Sequence, residues 1–204
     1  MKQILLTLLT CYSFLICSDS ELKTISFVQG RILNDTVNSI TIGGTCVHIE
    51  KNGRFLHLLE LTEPEKVEVT YKGLRFELFL EPGEKIELSF DAENIDQSMT
   101  FKGSSADTNR YLYEMNNTYS GLINYFRAGS SEWRELFSKN EQDFIDKLGS
   151  LMALFRKAST DRLIAQARIN RVVLFNTEKG IQFTFDWMLS QYPQYHRVYT
   201  GNKV

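Results

Sequence analysis

The spacing of apolar residues changes once along this chain, and the change constrains the fold more than any other feature. From about Ile25 to Gly103 the period is two. Val67, Val69 and Tyr71 alternate with Lys66, Glu68, Thr70 and Lys72; Ile86, Leu88 and Phe90 alternate with Lys85, Glu87 and Ser89. Such alternation turns one face of a strand to a core and the other to water. Leu74, Phe76, Leu78 and Leu80 continue the pattern, but Phe79 breaks it, so its face is expected to be partly covered. Turn signals separate the runs at Asn34-Asp35, Gly43-Gly44, Asn52-Gly53, Glu63-Pro64, Lys72-Gly73 and Pro82-Gly83. Lys51-Asn52-Gly53-Arg54 reads as a hairpin. Seven short strands at this spacing predict a β-sandwich.

After Gly103 the period becomes helical. Leu112, Met115, Tyr119, Leu122 and Phe126 step by three and four. A second helix is expected to carry Trp133, Phe137, Phe144, Leu148, Leu151 and Phe155, capped by Ser130 or Ser131. A third starts at Ser159-Thr160-Asp161 and runs through Leu174. Lys179-Gly180 predicts a break, and a last piece, Phe185 to Gln191, stops before Pro193. The expected class is α+β by segregation: an antiparallel sandwich over 22–104, then three to four helices over 105–204.

The N-terminus predicts export. Lys2 precedes an apolar run from Ile4 to Ile16, followed by polar Ser18-Asp19-Ser20-Glu21, which reads as a signal peptide over 1–18. Two endings stay open. Cys17 is a candidate for lipidation, which tethers the protein to a membrane surface, although Ile16 before it is not small. Cleavage near Ser18 releases the chain instead. The expected location is the periplasm or the membrane-attached cell envelope. Of Cys11, Cys17 and Cys46, only Cys46 is then left as a thiol, so packing without a disulfide must hold the protein together.

Chemistry is sparse. Cys46, His48 and Glu50 share the outer face of one strand while Val47 and Ile49 point inward; Cys46 and His48 are surface candidates for a nucleophile pair or half a metal site. A zinc centre needs more ligands, and the other histidines are His57 and His196. Tyr192, Tyr195 and Tyr199 with His196 crowd the C-terminal region. They either dock it on its own domain or, through Tyr195 and His196, offer an aromatic surface to a carbohydrate or partner. The acidic residues mostly alternate with apolar ones on strands, as solvated faces do. No catalytic residue, metal site or cofactor is expected. A net charge of −2 without a basic run argues against nucleic acid.

The succession Ser26-Phe27-Val28-Gln29-Gly30-Arg31-Ile32, Lys51-Asn52-Gly53-Arg54-Phe55, Phe79-Leu80-Glu81-Pro82-Gly83-Glu84 and Phe101-Lys102-Gly103-Ser104 resembles the N-terminal region of exported TlpA/ResA-like thiol–disulfide oxidoreductases of the Bacteroidota. So does Tyr192-Pro193-Gln194-Tyr195-His196 near the other end. The resemblance covers roughly Ser26 to Gly201. In those proteins a β-sandwich and a helical connector precede a thioredoxin domain with Cys-x-x-Cys, which is missing here, so no catalytic residue carries over. The resemblance implies a non-catalytic interaction or anchoring module of the envelope, with a protein or the missing thioredoxin domain as partner. A split oxidoreductase acting with a separate thioredoxin domain is the alternative, and a carbohydrate-binding accessory protein the third reading.

Overall fold

The structure, a computed structural model, describes residues 23–164 and 167–201. The leader and Cys17 lie outside the described residues. Eight strands build the first part: β1 (Thr24–Leu33), β2 (Ser39–Ile42), β3 (Thr45–His48), β4 (Arg54–Leu61), β5 (Glu65–Tyr71), β6 (Leu74–Leu80), β7 (Lys85–Asp91) and, after one short helix, β8 (Thr100–Lys102). They form two sheets, ordered β4-β1-β7-β8 and β3-β2-β5-β6. Six described helices complete the fold: α1 (Ile95–Ser98), α2 (Ala106–Gly121), α3 (Ile123–Phe126), α4 (Ser131–Ser138), α5 (Glu141–Ile164) and α6 (Arg171–Thr200). The chain is thus an N-terminal sandwich followed by helices, a segregated α+β fold.

The period-two residues meet between the sheets. Val28, Ile42, Val69, Leu78, Ile86 and Leu88 are fully buried there. Register is strongly specified, because a slip of one residue would turn each such set to water. Two expectations need correction. The pairing is not wholly antiparallel: β1 and β7 run parallel, from Phe27 opposite Lys85 to Leu33 opposite Asp91. The Pro82-Gly83 turn carries the chain from one sheet to the other, which brings β7 beside β1 in the same direction. Lys51-Asn52-Gly53-Arg54 likewise closes no ladder. It forms a tight turn, Gly53 N donating to Glu50 O at 2.8 Å, but β3 and β4 belong to different sheets. Gly53 also accepts from Ile32 N through its carbonyl, at 2.9 Å and with φ of 82°, so its backbone is packed against β1.

Asp35 organises the β1–β2 loop. Its carboxylate accepts from Val37 N, Asn38 N and, at 2.6 Å, the Tyr71 hydroxyl. Burial pushes its pKa up, but the Tyr71 hydroxyl and the two amides outweigh it and hold the carboxyl below its ordinary value. A depressed folded pKa stabilises above the unfolded value and is lost as pH falls through the folded one. Tyr71→Phe is expected to cost about 1–2 kcal/mol at pH 7. Urea unfolding at pH 7 and pH 3 should show the gap to the parent narrowing in acid.

The junction between the halves is built from buried polar groups. Glu84 is almost fully buried, and its carboxylate accepts from Ser104 Oγ (2.8 Å), Ser105 N (2.6 Å), Ser105 Oγ (2.7 Å) and Glu81 N (3.2 Å). Ser26, also buried, donates to Glu81 O and accepts from Gly83 N. Three short segments far apart in sequence therefore lock together where the sandwich hands over to α2. Next, α2 covers the free edge of β6. Asn109 accepts from Phe79 N at 2.7 Å and donates to Phe79 O at 2.9 Å, as another strand would. Asn116, two helical turns on, donates to Arg75 O. An open sheet edge invites foreign strands, and these amides occupy it.

A second core lies among the helices. Phe79 points away from the sandwich and joins Tyr111, Met115, Trp133, Phe137, Phe144 and Phe185 there, which agrees with the expected cover over its face. Tyr113 on the other side of α2 packs into the sandwich core, edge-on to Phe76 at 5.5 Å between ring centroids. Helix α2 thus belongs to both cores.

Helix boundaries differ from the expectation in four places. The first helix ends at Gly121, with short α3 after it. The expected second helix is two, because Asn140 caps a new start by accepting from Asp143 N at 2.9 Å; Ser130 caps α4 through Trp133 N, as foreseen. Ser159-Thr160-Asp161 lies inside α5, and the next helix starts at Arg171 under an Asn170 cap. Finally, α6 continues through both Gly180 and Pro193 to Gly201. Proline removes one ladder hydrogen bond, but tertiary contacts on either side of Pro193, described next, hold the helix to its path.

Candidate functional site

The residues singled out by sequence fall into two separate places. Cys46, His48 and Glu50 lie exposed along and just after β3, an edge strand, with Val47 and Ile49 buried beneath. Their opposite numbers on β2 are Thr41 for Cys46 and Ser39 for His48. No cluster of three or more His, Cys, Asp or Glu able to hold a metal occurs among the described residues. His57 is half-buried on β4, and burial lowers its pKa. The row is an open sheet surface with no further reactive group gathered to it among the described residues.

Tyr192, Tyr195 and His196 lie on the inward side of α6. The Tyr192 hydroxyl donates to Lys139 O at 2.8 Å, and its ring lies 4.4 Å from that of Phe144. His196 Nδ1 is 3.0 Å from Phe137 O. Tyr195 packs edge-on against Trp133 at 5.2 Å and stacks on Tyr199 at 6.0 Å. These groups satisfy the last carbonyls of α4 and bind α6 to it. Tyr195, His196 and Tyr199 keep only partial exposure.

The other side of α6 carries residues the sequence reading did not single out. Val172, Phe175, Phe183, Trp187 and Val198 are 66, 59, 73, 42 and 65% exposed. At 100° per residue, Val172, Phe183, Trp187 and Val198 fall within one quadrant of the helix, with Phe175 on its flank. The helix therefore has apolar residues on two sides: one side meets the helical core, and the other is largely exposed, touching it at its margin where Trp187 reaches Trp133 at 6.0 Å between ring centroids. The signal was present as apolar residues on two sides of one helical stretch, but an expected break at Lys179-Gly180 hid its continuity.

Two adjoining cavities open between α5 and α6. The helices run antiparallel and are packed closely at the Phe144–Tyr192 end. Towards the other end they part around a groove of about 470 Å³, lined by Met152, Phe155, Arg156, Ser159, Phe175 and Lys179 among others. A smaller space of about 220 Å³ shares Phe155 and Ile181 with it and is walled by Tyr119, Phe126, Gly180 and Phe185. Beneath lies a buried hydroxyl group cluster: the Tyr111 hydroxyl sits 3.2 Å from Ser159 Oγ. Burial pushes the Tyr111 phenol up, and the Glu178 charge adds to this. Thr177 Oγ1 is buried too and makes no well-aligned hydrogen bond among the described residues, although it lies close enough to ease the Tyr111 shift.

Fold and surface together define a two-core α+β protein with an unpartnered apolar helix face and an interhelical groove. No helix among the described residues is long and apolar enough to cross a membrane. No family model matches the chain, and no curated protein matches it. Among solved structures, a proposed cell adhesion protein from Bacteroides ovatus is similar at 16% identity and a TM-score of 0.27, over 40% of this chain and 43% of that one. The likeness spans less than half of either chain and is too slight to bear on function.

Proposed function

We propose that the chain is a non-catalytic interaction or anchoring module of the cell envelope, and that the outward face of α6 is its working surface. One observation carries the reading: Phe183 and Trp187, with Val172 and Val198 further along the same side, expose large apolar side chains on a helix whose opposite face is already packed. Folded chains keep such surfaces chiefly where a partner covers them. The leader supports an envelope location. The carbohydrate reading has less to stand on, because Tyr195 and His196 are engaged in packing α6 on α4.

The test is a photo-crosslinking amino acid at position 183 of the full-length chain in the producing bacterium, followed by envelope fractionation. The expected result is recovery in the envelope and one discrete crosslinked protein, lost when Trp187 is replaced by Ser. A partner bearing Cys-x-x-Cys would assign the module to a split oxidoreductase. Recovery in the cytosol without a crosslinked product would overturn the proposal.

A further inference from the structure

The groove between α5 and α6 combines features that a packing defect would not need. Its inner compartment is apolar, walled by Phe126, Phe155, Ile181 and Phe185. Its mouth carries two cations, Arg156 and Lys179. Neither makes an ion pair among the described residues; the neighbouring Lys157 is held by Asp161 at 2.8 Å, whereas Lys179 rests over the Phe175 ring at 5.5 Å. Glu178 is the acidic residue at the same mouth, so the rim keeps an excess of one positive charge. Gly180 lines the inner compartment, and a Cβ built on it meets nothing within 4 Å. Glycine in mid-helix costs about 0.5–1 kcal/mol relative to alanine, so a residue that fills this space would favour the helix. The outer space, about 470 Å³, falls within the roughly 300–1,000 Å³ typical of small-molecule sites, and the inner one, about 220 Å³, adjoins it.

We propose that this groove binds an amphipathic organic monoanion, a medium-chain alkyl carboxylate. The chain enters the apolar compartment beside Gly180, and the carboxylate meets Arg156 and Lys179 at the mouth. Apolar burial supplies affinity, and the two cations select the charged head over a neutral or cationic one. The inference stands apart from the partner surface on the outer face of α6: either can fail alone.

The experiment titrates the full chain with dansylaminoundecanoic acid, follows the dansyl emission, and displaces the probe with dodecanoate, dodecanol or dodecyltrimethylammonium. Saturation at one probe per chain is expected, with dodecanoate the best competitor. Arg156→Ala with Lys179→Ala should weaken dodecanoate by about tenfold or more and change dodecanol by less than about twofold, as expected for lost charge pairing of about 1.4 kcal/mol. Gly180→Leu should abolish binding of both while leaving the melting temperature equal or higher. Gly180→Ala, which adds one methyl, reports whether the helix tolerates a side chain there. The proposal is overturned if the probe does not saturate, if dodecanol competes as well as dodecanoate, or if Gly180→Leu folds and still binds. Loss of binding in Phe183→Ser with retention in Gly180→Leu would place the probe on the outer face and equally overturn it.

Discussion

Glu84→Ala should lower the unfolding free energy by about 3 kcal/mol or more, read as a shift in the urea midpoint. The substitution removes one carboxylate and strands four donors: Ser104 Oγ, both polar groups of Ser105, and Glu81 N. A hydrogen bond to a charged acceptor contributes roughly 1.5–3 kcal/mol, and each buried donor left unpaired costs about 1–3 kcal/mol. These terms overlap and water can enter beside exposed Ser104, so the sum is not reached. Glu84→Gln should fall between, since its amide keeps an acceptor but turns a donor toward donors. Hydrogen exchange adds a sharper reading. Protection at Ser105 and in the first turn of α2 should drop before the sandwich strands lose theirs. A loss below about 1 kcal/mol would mean that the junction is not a structural lock.

The second large effect belongs to the helical core. Trp133 is fully buried, with Phe137 at 4.4 Å, Tyr195 at 5.2 Å and Trp187 at 6.0 Å between ring centroids. Trp133→Ala is expected to cost about 3–5 kcal/mol, the range for truncating a large buried aromatic. Trp133→Phe should cost clearly less, because Trp133 Nε1 is itself buried with no hydrogen-bond partner among the described residues. Phenylalanine keeps most of the packing and discards that orphan donor. Equilibrium unfolding of both variants tests the order. Equal losses would mean that the indole nitrogen is satisfied. Since α2 and β6 are the elements that contribute to both cores, Trp133→Ala should also loosen α4 and α6 in hydrogen exchange while β1 and β7 stay protected.

Much of this architecture was legible because it depends on local period. The alternation through Val67, Val69 and Tyr71 reports a strand with one buried face whatever it pairs with. The step pattern from Leu112 onward reports a helix in the same way. Phe79, an apolar residue on the wrong face of its strand, signalled a second layer, and the helical core covers it. Pairing was not legible. The Asn52-Gly53 signal was right about a turn and wrong about a hairpin, since turn chemistry acts within a few residues and the choice of sheet does not. Gly180 and Pro193 were misread for the same reason. Propensity disfavours both in a helix, but Val173 and Phe185 on either side of Gly180 are buried in the helical core, and Tyr192 and His196 bind α6 to α4 around Pro193.

The candidate sites divide similarly. Cys46 and His48 were found on an exposed face, as alternation required, and nothing else among the described residues converges on them. The polar residues that matter most to the fold, Glu84 and Asn109, were not picked out as such. Their partners, Ser105 and Phe79, are 21 and 30 residues away. The groove of Arg156, Lys179 and Gly180 was equally hidden, because it is made by two antiparallel helices whose facing positions no local pattern connects.

By itself, the sequence determined the order of elements, the inward face of each strand and the change from sheet to helix. Those properties follow from the solvent preference of each side chain and the geometry of its own backbone. Tertiary structure alone decided that β1 and β7 run parallel, that α2 serves two cores, and that α6 crosses Pro193 unbroken. Each of these is settled by burial and hydrogen bonding between residues distant in sequence, and such energies exist only once the chain has closed on itself.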